Sequence, residues 1–202
     1  MQAKFITFEG SEGCGKSTQS KLLAGYLKRK GHRVVYLREP GSASISEKIR
    51  KVLLNPENKI SPVCEMLLYM AARAQLVEEV IQPALERGAI VICDRFLDST
   101  VAYQGYGLGM DIKSIKAVGK VATLGVKPDL TFFMDLSVKD GLVHRRQKDR
   151  IESRSFSYHQ RVRDGYLRLA AQEPRRIKVV KVEKEKLVTQ QKIRKLTLNS
   201  IH

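Results

Sequence analysis

Gly10-Ser11-Glu12-Gly13-Cys14-Gly15-Lys16-Ser17, followed by Thr18, has the form GxxxxGK[ST]. That pattern carries a mechanism when it joins a strand to a helix. The glycines let backbone N–H groups turn inward around phosphate oxygens, the lysine adds a movable positive charge, and the serine hydroxyl suits a magnesium ion. Both flanks satisfy the condition. Lys4-Phe5-Ile6-Thr7-Phe8-Glu9 is a short β-rich run that stops at Gly10, and from Ser17 onward Leu22, Leu23, Tyr26 and Leu27 repeat at helical spacing until Gly31.

Outward from this unit the pattern repeats. His32 to Leu37 reads as a second strand, closed by the turn Arg38-Glu39-Pro40-Gly41, with helical segments over 44 to 54 and 62 to 87. Ala89 to Cys93 is a continuous apolar run, as a strand covered on both faces requires, and ends in Asp94-Arg95. A helical region near 111 to 124, strands at Leu130 to Leu136 and Ile177 to Val182, a basic helical stretch over 138 to 171 and a helical C-terminal end complete the chain. Strands alternating with helices predict a five-stranded parallel sheet covered on both faces, in a single domain over residues 1–202. Ligands of such sheets bind at the C-terminal strand ends, where the polar clusters fall.

Composition narrows the class. With 202 residues and 43% hydrophobic content the chain can bury a core without disulfides. Cys14, Cys64 and Cys93 form no CxxC pair, which fits reduced thiols, and with no long apolar span or leader pattern the expected location is cytoplasmic. The net charge of +16 implies attraction to polyanions. The basic residues are dispersed over many helices without a DNA- or RNA-binding motif, so bound phosphates explain the balance better than nucleic acid does.

Asp94 closes its apolar run as a carboxylate reaching a metal beside the glycine loop would, and Arg95 next to it offers a planar fork for phosphate. With these residues on the page a resemblance becomes specific. The segment from Phe8 through Thr18, Arg38-Glu39-Pro40-Gly41, Asp94-Arg95-Phe96 with Asp98-Ser99-Thr100, Ala102-Tyr103-Gln104-Gly105, and Arg161-Val162-Arg163 with Gly165-Tyr166-Leu167 resemble thymidylate kinase motifs in order and spacing.

That resemblance implies ATP-dependent, Mg²⁺-assisted phosphorylation of dTMP to dTDP on a P-loop fold, in a homodimer. It implies ATP on residues Gly10 through Thr18 and Mg²⁺ on Ser17 and Asp94. For dTMP it implies Glu12 at the 3′-hydroxyl, Tyr69 stacked on thymine and Arg73 at a base carbonyl. Arg50 and Arg95 would then hold the phosphate, and Ser99, Thr100 and Gln104 would line the base and sugar pocket. Lys16, Arg95, Glu39 and Arg150 form the expected catalytic set. Arg150 is taken from a short helical lid at about 144–156, whose cluster Arg145-Arg146-Gln147-Lys148-Asp149-Arg150 to Arg154 supplies charge that Gly13, in place of an arginine, leaves absent from the loop. Three features depart from the family: Ser42-Ala43 stands where Gly-Thr is usual, His144 replaces an arginine near the adenine, and the lid is a few residues short.

Overall fold

A computed structural model describes residues 3–143 and 149–201. His144 and the Arg145 to Lys148 part of the expected lid lie outside them.

Five parallel strands form one sheet, ordered β2-β3-β1-β4-β5. They are β1 (Lys4–Glu9), β2 (Val34–Arg38), β3 (Ile90–Asp94), β4 (Leu130–Asp135) and β5 (Ile177–Lys181). Each falls within two residues of its sequence expectation. The central strand β1 pairs with β3 on one side, setting Phe8 beside Asp94, and with β4 on the other. The C-terminal ends of β1 and β3 are thus neighbours, and the two polar clusters that follow them open into one crevice.

Period-two alternation divides the core between the sheet faces. Ile6, Phe8, Ile92 and Phe132 pack with Leu23 and Leu27 of α1 (Lys16–Arg29) and with Ile193. Phe5, Val91 and Cys93 pack with Leu76, Val77 and Ile81 on the opposite side. Around the sheet the chain adds α2 (Ser44–Leu54), α3 (Pro62–Leu76), α4 (Gln82–Glu86), α5 (Leu97–Thr100), α6 (Ile112–Ala122), α7 (Val138–Val143), α8 (Phe156–Gln172) and α9 (Lys186–Ile201). The last is the expected C-terminal helix and lies against α1.

Three helical expectations change. The stretch 62–87 is not uniform: α3 passes through a π-helical segment, Val77–Ile81, before α4. Residues 97–107, read as motif and not as helix, are helical, with a π-helical segment Val101–Gly107 continuing α5. The stretch 138–171 is interrupted, because Asp149 accepts from the Ile151 and Glu152 backbone N–H groups in a turn and Ser155 caps α8 through Tyr158 N–H.

Candidate active site

The loop Gly10 to Gly15 enters α1 with no side-chain cap, from Gly15 at φ 83°. The first backbone N–H groups of α1 are therefore left for an anion at the positive end of the helix dipole. Lys16 donates from Nζ to the Ser11 carbonyl at 2.7 Å and lies against Cys14 Sγ. Ser17 Oγ donates to Asp94 Oδ2 across the β1–β3 crevice. A hydroxyl and a carboxylate side by side, next to a phosphate cradle, form the oxygen donor pair that a hard divalent cation takes when phosphates and water complete its shell. No group of three or more His, Cys, Asp or Glu side chains among the described residues forms a metal cage.

One cleft joins this loop to the rest of the expected site. Lys16, Ser17 and Asp94 line it. Glu39, Arg50, Tyr69, Arg73, Thr100 and Gln104 line the same cleft, as do Glu12, Arg95 and Ser99. Arg150 is absent from the lining. Its Nε donates to the Leu53 carbonyl at 2.7 Å, and its Nη2 lies 2.5 Å from Glu65 Oε2 off the hydrogen-bond axis, a contact of charge. The neighbouring turn still reaches the cleft through Asp149, Ile151 and Glu152.

Arg95 holds a left-handed backbone conformation, φ 73°, unusual for a residue with a side chain. It is over-determined by its partners. Nη2 pairs with Glu12 Oε1 at 2.7 Å, Nη1 donates to the Gly10 carbonyl at 3.0 Å, and the guanidinium lies 4.9 Å from the Tyr103 ring centroid. Burial alone would depress this guanidinium; Glu12, ahead of the surrounding tyrosines, holds it above its ordinary range. Tyr103 donates to the same Glu12 oxygen at 2.7 Å. The loop carboxylate and the phosphate fork are therefore one unit.

Beneath Arg95 lies Glu9, fully buried at the end of β1. It accepts from Phe96 N–H at 2.7 Å, from Ser99 Oγ at 2.5 Å and from Tyr166 Oη at 3.0 Å. Burial first, then the nearby Asp98 charge, pushes its carboxyl up to about 7. Sequence reading missed Glu9, Tyr103 and Tyr166 as site-shaping groups, although all three lie inside the quoted motifs.

Arg73 is 1% exposed and shares its donors among protein groups: Nε with Glu39 Oε2 at 2.8 Å, Nη1 with Thr100 Oγ1 at 3.0 Å and Met70 Sδ, and Nη2 with the Phe96 carbonyl at 3.0 Å. The bond to the weakly accepting thioether is the one most readily exchanged for a carbonyl oxygen. Burial pushes the Glu39 carboxyl up to about 7 against the pull of Arg73, and its Oε1 is a buried acceptor with no hydrogen-bond partner among the described residues. Arg50 donates to the Pro40 carbonyl at 2.9 Å.

The Ser42 departure has a physical reading. Its φ of 67° is the conformation a glycine would take without strain. Its hydroxyl bonds both the N–H and the carbonyl of Arg38, and its N–H donates to Glu47 Oε1 at 2.8 Å. Two other motif residues prove structural: Asp98 pairs with Arg176, and Arg163 with Asp135.

Comparison with known proteins agrees with this geometry. The family model described as thymidylate kinase matches residues 8–193. A thymidylate kinase of Thermoanaerobacter sp. (strain X514) is 48% identical over 178 residues, covering 87% of this chain and 88% of the relative. One from Exiguobacterium sp. (strain ATCC BAA-1283 / AT1b) is 51% identical over 181 residues, covering 88% and 85%. The crystal structure of thymidylate kinase from Ehrlichia chaffeensis superimposes with a TM-score of 0.83 at 34% identity, covering 98% of this chain and all of that one.

Proposed function

The chain belongs to the thymidylate kinase family, and from that premise we propose how its cleft performs the reaction. It is a nucleoside monophosphate kinase that phosphorylates dTMP to dTDP. The observation that carries the reading is the continuity of one cleft from Lys16, Ser17 and Asp94 to Tyr69, Arg73 and Gln104. A donor nucleotide's phosphates and an acceptor monophosphate then meet at Arg95.

The donor in this reading is ATP, its phosphates on the loop Gly10 to Thr18. Ser17 and Asp94 would hold Mg²⁺, which supplies charge neutralisation on the transferred phosphoryl group. The acceptor phosphate is already an oxyanion at neutral pH, so the chain needs no strong general base. It must instead bring two anions into line and offset their repulsion. Lys16 serves the donor phosphates, and Arg95 with Arg50 serves the acceptor. Glu12, in reach of Arg95 and Tyr103, is suited to the sugar hydroxyl. Tyr69 offers a flat face to the base, while Arg73 and Gln104 offer polar groups to its edge. Glu39 acts through Arg73, keeping its fork fixed.

The lid role assigned to Arg150 requires its guanidinium to leave Glu65 and Leu53 when both nucleotides are bound. The exposed apolar side chains Val63 and Leu67 on α3, with Val121 on the adjoining α6, support a homodimer that buries this face. No helix among the described residues is long and apolar enough to cross a membrane, and in this reading the reaction takes place in the cytoplasm. The donor and metal assignment is tested by ADP release with dTMP. Rates should require a nucleoside triphosphate with magnesium and vanish with a chelator; a rate unaffected by chelation contradicts it.

A further inference from the structure

Glu65 belongs to none of the motifs above, yet it is fully buried in α3 and joins two parts of the site. Its Oε1 accepts from Gln104 Nε2 at 2.8 Å. Its Oε2 accepts from Arg154 Nη2 at 2.6 Å and faces Arg150 Nη2 at 2.5 Å. A carboxylate placed out of water is retained only when its oxygens are paired, and here the two cations and one amide pair it.

The consequence concerns the amide. An ionised carboxylate only accepts, so Gln104 must turn its NH₂ toward Glu65, and its carbonyl oxygen is then the atom left for the cleft that Gln104 lines. A fixed acceptor at the base edge welcomes a ring N–H, as at N3 of thymine or uracil. It opposes the unprotonated N3 of cytosine, lone pair to lone pair.

We propose that Glu65 is a positioning residue for acceptor specificity: it locks the Gln104 amide in the orientation that accepts from a pyrimidine N3–H, with Arg154 holding its own charge in place and Arg150 adding to that hold until the lid draws it away. This rests on the reading of Gln104 as a base-edge group. The substitution Glu65→Gln is nearly isosteric but offers both a donor and an acceptor, so the Gln104 amide becomes free to turn over and present its NH₂ to cytosine.

The test compares kcat/KM for dTMP and dCMP in the wild-type chain, Glu65→Gln and Gln104→Leu. The proposal expects Glu65→Gln to lower the dTMP-to-dCMP ratio by about tenfold or more, because rejection by an unmatched buried hydrogen-bonding group is large and depends on its orientation. A purely structural Glu65 would depress both substrates alike, and an unchanged ratio overturns the proposal. If Gln104→Leu also leaves the ratio unchanged, the base-edge reading of Gln104 fails and the proposal falls with it. If Gln104→Leu shifts the ratio and Glu65→Gln does not, the proposal alone is overturned. Should Glu65→Gln not fold, the Gln104 side-chain NH₂ followed by ¹⁵N NMR in the wild-type chain decides. Its protons should be protected from solvent exchange both without and with dTMP, and protection that appears only on adding dTMP contradicts the assigned orientation.

Discussion

Gly13 and Gly141 meet backbone to backbone: a Cβ on Gly13 would stand 2.0 Å from the Gly141 carbonyl oxygen, and one on Gly141 would stand 2.3 Å from the Glu12 carbonyl oxygen. Helix α7 therefore seats directly on the phosphate loop, and no side chain fits at position 13 without moving it. This gives a steric reason for glycine in place of an arginine there. The Gly141→Ala substitution should push the loop out of register and lower kcat/KM for the nucleotide donor by about tenfold or more, since sub-ångström placement governs phosphoryl transfer. Steady-state kinetics with ATP varied checks it; wild-type values would show that α7 yields instead of the loop.

Lys16 is held by the Ser11 carbonyl and belongs to none of the hydrophobic core clusters. Lys16→Ala should therefore lower kcat by about a hundredfold or more, the loss expected when a charge stabilising the transition state is removed, with the melting temperature nearly unchanged. Activity above about a tenth of wild type would count against the loop assignment.

Arg150 and Arg154 share one buried carboxylate, so the lid charge must be drawn from a stable resting pair. Arg150→Ala should lower kcat by roughly a hundredfold with little change in the dTMP KM, as for a contact made mainly in the transition state, and Arg154→Ala should cost less. Parallel kinetics of the two variants decide the assignment. The reverse order would shift the catalytic role to Arg154, and two active variants would remove it from this turn.

The buried Glu9 carboxyl titrates near 7 in the folded chain and near 4.5 when unfolded. A raised carboxyl binds its proton more tightly in the folded state. The stability it contributes is thus complete below about pH 4.5 and is lost as pH climbs through about 7. Glu39 shifts in the same direction. Denaturant unfolding from pH 5 to 8 should show falling wild-type stability and a shallower fall in Glu9→Gln, by on the order of 1–3 kcal/mol across the range. Parallel pH profiles for the two proteins would contradict this.

Much of this is legible in the amino-acid sequence. Apolar runs marked β1, β3 and β4, because a strand buried on both faces cannot hide its composition, while the half-buried edge strands β2 and β5 showed as short runs rich in valine and isoleucine. The glycine loop and Asp94-Arg95 could be paired because both close strands of a parallel sheet. What escaped was tertiary. The helix over 97–107 is rich in glycine and tyrosine and carries a π segment, so it shows no 3.6-residue stripe. Glu65 looks like any acidic residue in a first helical turn, and only the fold brings Gln104 and two arginines to it. Asp98 and Arg163, by contrast, lie inside the quoted motifs and are held in ion pairs with Arg176 and Asp135.

Acceptor choice tests the central claim most directly, because the pairing of Tyr69 with Arg73 and Gln104 is what separates a thymidylate cleft from that of any other loop-bearing kinase. The measurement is ADP release from ATP and magnesium against a panel of nucleoside monophosphates at matched concentrations. dTMP should be the best acceptor, dUMP weaker, and AMP and GMP nearly inert. AMP or GMP turned over as well as dTMP would contradict the account while leaving the kinase chemistry at Lys16 standing.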